Sequence, residues 1–321
     1  MAITVYRSTD TSAPTLTGQA GSLITLLDAV LVNGYGSKAA AGWTKAYSGT
    51  NKAAYRLGSG TQFYLRVVDD GTTSAAYGRI LGYESMSDVD TGTNGFPTNV
   101  QVSGGLYAHK SSTADSTARP WMIIACDRGI YFIGQCGQTT FGAAQAATDN
   151  QWFFGDLKSY KTGDGYQCHI VASTSATLSG ASTIGSVSVN TAFSATTGHY
   201  VARAHTQITG AVATAKTVWR LSLLSASNTY LSTNTLNSYP NPITGGIDVT
   251  PLLIAEPTGG GNCSVRGQLP GAYDFNHSAP AGLYDTFDGT GTLSGVSFII
   301  IPITASTTAT RMAVQTSGTW Y

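Results

Sequence analysis

The sequence predicts a mainly β, β-rich α+β fold: antiparallel sheets packed as a sandwich, with one N-terminal amphipathic helix on the first sheet. Three observations predict it. After the one helix, short apolar stretches separated by turns follow each other along the chain, the first with a two-residue period from Gly42. The 321 residues include 38 glycines, which favour turns. Of the 17 acidic residues only Glu84 and Glu256 are glutamates, so the acids too are mostly of the turn-favouring type.

The helix is predicted from Leu23, Leu26, Leu27, Val30 and Leu31, which share one face, with Thr25, Asp28 and Ala29 opposite. Ser22 is the predicted N-cap, and Asn33-Gly34 the stop. Ile24 and Val32 lie outside the stripe, so the helix should touch protein on more than one side.

From Gly42 the period becomes two. Trp43, Lys45 and Tyr47 lead into a turn at Ser48-Gly49-Thr50-Asn51, and Lys52 to Arg56 lead out, which predicts a hairpin. Phe63 to Val68 is a third strand ended by Asp69-Asp70-Gly71, and Arg79 to Glu84 a fourth. Residues 85–120, rich in Asp, Thr and Gly, read as a long loop region. Trp121 to Cys126 and Ile130 to Gly134 form the clearest hairpin, turned by Asp127-Arg128-Gly129. Trp152 to Asp156 and Gln167 to Val171 complete a first sheet of about six or seven strands.

Residues 172–198 carry no charge and read as a linker or a loosely patterned strand pair. Beyond them, Thr217 to Leu224, Ile247 to Ile254, Cys263 to Gln268, Val296 to Ile303 and Met312 to Gln315 are predicted strands. A soft boundary near 172 divides the chain into a helix-plus-sheet domain, 1–171, and a second β-rich domain, 172–321. The halves sharing one sheet remains the alternative. No repeat of fixed period points to a propeller or solenoid.

Charged residues make up 11% of the chain, and 17 basic residues balance 17 acidic ones, so no strong field draws nucleic acid or an anionic membrane. The longest apolar run, Phe298 to Ile301, is too short to span a bilayer. Met1 to Arg7 alternates like a strand and lacks the features of a signal peptide, which predicts a soluble protein made in a cytoplasm. Cys126, Cys136, Cys168 and Cys263 have no CxxC spacing. Cys126 would lie near the hairpin turn and Cys136 at its far end, so free buried thiols are predicted.

No nucleophile elbow, HExxH, P-loop or dinucleotide fingerprint occurs, and no catalytic residue or cofactor is predicted. Asp88, Asp90 and Asn94 form a weak calcium candidate, because their oxygens alternate along Asp88 to Gly95. Gly92 stands where a ligand is required and no glutamate ends the loop, which favours a plain turn. Asp285 and Asp288 could be a glycosidase-like pair, but Gly289-Thr290-Gly291 marks them as turn residues. His199 and His205 would share a face if extended, with a hydrogen-bonded or surface role preferred to a metal. Trp43, Trp121, Trp152 and Trp219 are assigned to the core. Trp320 and Tyr321 should dock on their own body or on a neighbour, and are taken as assembly contacts.

Several motifs together resemble a family of structural proteins of tailed-bacteriophage virions and prophages. They are Leu26-Leu27-Asp28-Ala29 with Asn33-Gly34-Tyr35-Gly36, Gly42-Trp43-Thr44 leading to Ser48 to Ala53, Met86 to Gly92, Asp115 to Trp121 and Phe153 to Asp156. Tyr239 to Pro242, Arg266 to Gly271 and Thr316 to Trp320 continue the likeness. The resemblance implies a virion component but brings no catalytic residues. The expected function is structural, in the tail, neck or baseplate, by symmetric assembly with copies of itself and neighbouring virion proteins, without direct nucleic-acid binding or membrane insertion. A capsid decoration protein is the nearest alternative. A carbohydrate- or receptor-binding module of a tail fibre, recognising a host-surface glycan through exposed Tyr and Trp, is the alternative from another class. A glycan-cleaving enzyme is third and would need two carboxylates facing across a cleft.

Overall fold

The computed structural model describes residues 2–142, 149–178, 198–205, 216–217, 219–221, 240–243, 245–259, 262–275, 277, 282–302 and 311–321. The fold is mainly β, as the sequence predicts, and its sheets are antiparallel. Strand β1 (Thr4–Arg7) precedes helix α1 (Ser22–Leu27), which continues as a π-helical turn over Asp28–Asn33. A first sheet follows as a meander of β2 (Thr44–Gly49), β3 (Lys52–Arg56), β4 (Tyr64–Val68), β5 (Tyr77–Asp88) and β6 (Thr91–Phe96). Strand β7 (Leu106–His109) shares with β6 the edge of β5 opposite β4.

The chain then builds β8 (Trp121–Cys126), β9 (Gly129–Gln135), β10 (Asp149–Asp156), β11 (Lys158–Ser159), β12 (Cys168–Val171), β13 (His199–Val201) and β14 (Lys216–Thr217). All but β11 join β1 in an inner sheet of order β1-β8-β9-β10-β12-β13-β14. The last strands are β15 (Trp219–Leu221), β16 (Val249–Gly259), β17 (Asn262–Phe275), β18 (Thr286–Asp288), β19 (Ser297–Pro302) and β20 (Arg311–Gln315). They make a third sheet of order β15-β16-β17-β20-β19-β18, to which β11 adds by pairing with β17.

The inner sheet is buried on both faces. Trp121, Ile123, Ala125, Ile130, Phe132, Trp152 and Phe154 pack with α1 and the first sheet. The residues between them, Met122, Ile124, Cys126, Tyr131, Ile133 and Phe153, pack against Leu252, Ile254, Leu269, Ile299, Ile301 and Met312 of the third sheet. Successive side chains of a strand point to opposite faces, so these two clusters place the inner sheet as the middle of three layers.

Strands from both sides of residue 172 share a sheet, the alternative the sequence leaves open. Strands β10 and β12 precede it, β13 and β14 follow it, and all four lie in one sheet; β11 precedes it and pairs with β17. The halves share the inner sheet because strand order depends on long-range pairing, which a local composition shift does not report. Of the uncharged stretch, residues 179–197 lie outside the described residues, as do 222–224 of the strand expected to Leu224.

The leucine stripe of α1 is buried as expected. The cap differs: Gly21, at φ 81°, is the N-cap, and the Ser22 hydroxyl donates to the Thr17 carbonyl at 2.7 Å. The open Leu23 N–H is accepted instead by Asp69, 46 positions away in sequence, at 2.9 Å. At the other end the Val30 and Leu31 carbonyls accept the Ala41 and Trp43 N–H groups, and Gly34, at φ 75°, closes a wide turn on the Ala29 carbonyl. The loop region expected over 85–120 contains β6 and β7. Thr91 to Phe96 holds two glycines and reads as a turn by propensity, but their missing side chains make room for the Tyr83 ring, which a Cβ on Gly92 would meet at 2.5 Å.

If both faces of the inner sheet are core, Ile123→Ala and Ile124→Ala should each lower stability by about 2–5 kcal/mol in denaturant unfolding. A sheet with a single buried face would show the loss at only one of them.

Candidate binding face on the first sheet

Ala53, Tyr55, Leu65, Val67 and Ile80 of the first sheet point into the core, so the residues between them point out. Register aligns these in rows across the strands. Arg56, Tyr64 and Tyr83 are direct neighbours across β3, β4 and β5; Ala54, Arg66 and Leu81 form the next row; Lys52, Val68 and Arg79 form the third. Tyr47 stands opposite Ala54 and stacks on Tyr64 with ring centroids 6.3 Å apart. Tyr107 extends the third row and lies beneath the Arg79 guanidinium at 3.7 Å, and Arg56 sits 5.7 Å from the Tyr64 ring centre.

The segment after β6 borders this face. Pro97, Thr98, Asn99 and Gly104 join Arg66, Leu81, Tyr83 and Gly95 around a groove of about 340 Å³. The segment is braced from within: Asn99 accepts the Gly104 N–H at 3.0 Å, and Arg79 donates to the Ser103 and Gly105 carbonyls. Val100 at its tip is 97% exposed.

Asp90 stands at the edge of the same face. Arg66 and Lys52 both pair with it, the latter at 3.1 Å. The Arg66 hydrogen bond is the chief reason its carboxyl is held below the ordinary value. Arg56 donates only to the Gln62 carbonyl and side chain, and Arg79 to main-chain oxygens, so neither has a carboxylate partner among the described residues.

The weak calcium candidate is not assembled as a cation site. Asp88 ends β5 and accepts the Asp90 N–H at 3.2 Å, Asp90 is held by its two cations, and Asn94 donates to Glu84 at 2.9 Å. Asp285 and Asp288 are exposed and serve local contacts, Asp285 accepting the Gly282 N–H and Asp288 the Ser297 hydroxyl. Cys126, Cys136 and Cys168 are free and buried, and burial pushes the Cys126 thiol up to about 11. The Cys263 and Trp219 side chains lie outside the described residues.

Trp320 and Tyr321 dock on their own chain, one of the two placements the sequence allows. Trp320 is 3% exposed, donates to the Gln315 carbonyl at 3.2 Å and meets Tyr131 edge-on at 5.1 Å. Gly271, at φ 65°, admits its indole, which a Cβ there would meet at 2.4 Å. The Tyr321 hydroxyl donates to the Asp156 carbonyl at 2.5 Å, and Arg128 lies 3.9 Å from its ring centre. A chain end rich in aromatics does not disclose in sequence which surface it covers.

His199 and His205 do not share a site. His199 lies 3.3 Å from His169, both fully buried between the inner and third sheets, and His205 contacts Asp164 at 3.0 Å. Burial foremost, with His199 and Arg266 nearby, pushes the His169 pKa well below its usual value.

A buried polar cluster missed in the sequence surrounds Arg266, which donates to Asp164 at 2.7 Å, to Glu256, and to the Arg203 and Tyr166 carbonyls. Glu256 also accepts the His205 N–H at 2.6 Å, and Ser159 donates to Asp164 at 2.7 Å. Burial acts to raise the Asp164 pKa, but Arg266, His205 and Ser159 outweigh it and hold the carboxyl below its ordinary value. Serine, aspartate and histidine meet here in the wrong order for nucleophilic catalysis: the aspartate, and not the histidine, takes the serine proton. The cluster joins the region after β11 to β16 and β17. No local pattern reports it, because its members are spread over 108 positions from Ser159 to Arg266 counted inclusively.

Comparison with known protein-family models and with curated proteins finds no match.

Trp320→Ala should lower stability by about 3–5 kcal/mol, seen as an earlier denaturant midpoint in the dilute protein. Stability should also fall with acid. His169 has a folded-state pKa below its unfolded value near 6.5, so its contribution is complete above about pH 6.5 and is lost as pH falls toward the folded pKa, by up to about 1.4 kcal/mol per pH unit. His169→Gln should flatten thermal melting against pH over that window.

Proposed function

We propose that the chain is a structural, non-enzymatic component of a tailed-phage virion, in the tail, neck or baseplate, working by assembly with neighbouring subunits. The observation that carries this reading is where the motifs that give the phage resemblance fall. They occupy positions that hold the layers together. Asp28 accepts the Tyr55 hydroxyl at 2.8 Å and pairs with Lys45; the Trp43 indole donates to the Cys126 carbonyl at 2.8 Å. Asp156 binds Thr61 and Arg128, Arg266 centres the buried cluster, and Trp320 fills its cavity beside Gly271.

A protein working by shape needs such joints and outward surfaces that neighbours can read. With the C-terminal aromatics docked internally, the surfaces available for assembly are the first sheet's outer face, the exposed segment around Val100 and the outer strand edges.

Gold-labelled antibody imaging of purified particles tests the reading directly. Label on the tail, neck or baseplate is the expected result. Label spread over the head would replace it with a decoration role, and absence of label from intact and partially disassembled particles would overturn it.

A further inference from the structure

The outer face of the first sheet combines ring faces, cations and a groove. Four cations, Lys52, Arg56, Arg66 and Arg79, stand on it against the single carboxylate of Asp90, with Asp88 beyond at the hairpin tip. The whole chain has no net charge, so this positive excess is local. Tyr64 and Tyr83 are half-buried and their hydroxyls have no protein partner among the described residues. The Tyr83 ring rests on the backbone of β6, where a Cβ on Gly92 or Gly95 would approach it to 2.5 or 3.1 Å, so its position is set before any ligand arrives.

We propose that this face binds an acidic oligosaccharide, with sugar rings stacked on Tyr64 and Tyr83 and a sugar carboxylate met by Arg56, which has no carboxylate partner among the described residues. Charge complementarity selects an anionic ligand. Rigid tyrosines beside Thr98 and Asn99 select a sugar, whose ring has an apolar face and a rim of hydroxyls. A nucleic-acid strand is disfavoured by the sparseness of the charge: Asp90 occupies two of the four cations, and the backbone carries a phosphate at every nucleotide. The cation left beside the rings, Arg56, suits a short acidic saccharide that brings one carboxylate to it. This inference is independent of the position of the chain in a particle.

Isothermal titration and a bead-capture assay with the full chain test it, using oligogalacturonate and oligosialic acid as probes, methyl-esterified oligogalacturonate as the uncharged control, and a single-stranded oligonucleotide of matched charge. Binding of either acidic saccharide is expected, weakened at least tenfold by esterification and by raised salt. Arg56→Gln and Tyr64→Ala lie on the outer face and should each weaken it tenfold or more, with melting temperature reporting that the variants remain folded. Should either variant unfold, Arg56→Met and Tyr64→Leu replace it, keeping the apolar stem without the charge and an apolar side chain without the ring, and each should again weaken binding tenfold or more. The inference is overturned if folded wild-type protein binds neither acidic saccharide, if the esterified form binds equally, if the oligonucleotide binds more tightly, or if the folded variants bind as wild type does. Particle imaging and saccharide binding fail separately, since one reads location and the other ligand chemistry.

Discussion

The structure depends on an inner sheet with no solvent face. Strands β8, β9 and β10 are buried at every position, so a charged side chain on them is costly unless it finds partners within the protein. Asp149 does so through the Tyr284 hydroxyl at 2.8 Å and Gln135 at 3.3 Å. Asp156 does so through Thr61 at 2.6 Å and Arg128 at 3.0 Å, which anchors the β3–β4 connection to the inner sheet. Burial tends to raise the pKa of both carboxyls, and these bonds work against it. The same groups that solve the desolvation problem of the middle layer therefore set how the outer layers sit on it.

A second joint fixes α1. Lys110 and Asp69 are both fully buried and 2.5 Å apart. Lys110 also donates to the Gln19 carbonyl and the Ser22 hydroxyl, and Asp69 to Leu23 acts as the distant cap of the helix. Net stabilisation by such a pair is small, because removing two charges from water offsets most of their attraction. Its effect is on geometry: the pair ties the helix, the end of β4 and the end of β7 to one another. Asp164, Arg266 and Glu256 play the corresponding part between the inner and third sheets.

What was legible in the sequence follows from the range of the interactions. The helix stripe, the hairpins at Thr50-Asn51 and Asp127-Arg128 and the burial of Trp43, Trp121 and Trp152 are local consequences of periodicity and turn chemistry. Trp121-Met122-Ile123-Ile124-Ala125-Cys126 reads in sequence as one arm of a hairpin, and only the pairing places its continuous apolar run in the middle layer, covered on both faces. The Asp69 cap, the Arg266 cluster and the joining of β13 and β14 to the inner sheet are long-range, and no local pattern reports them. The strand β6 was hidden for a different reason: its glycines serve the Tyr83 ring rather than a turn. Of the candidate site, the tyrosines were visible as a composition but their alignment was not, because a shared face depends on register between β3, β4 and β5.

Where a partner can reach follows from comparing the two outer layers. The far side of the third sheet carries its own apolar cluster, in which Phe275, Phe298, Ile300 and Ala313 are closed off and Ile247, Val249, Tyr273 and Phe287 pack around them. That side spends its rings on self-contact: Phe287 stacks on Phe298 at 5.2 Å, and Tyr273 meets Phe298 edge-on at 5.5 Å. The outer side of the first sheet has no such cover among the described residues. Its rings are separated by arginines, and the Tyr47 and Tyr64 stack leaves the row half-exposed. A large aromatic ring left partly in water forgoes the gain of burial, and an arginine without a carboxylate keeps its charge available. Where both recur in register on a rigid sheet, ring faces and charge stay open to solvent, which the far side of the third sheet does not allow.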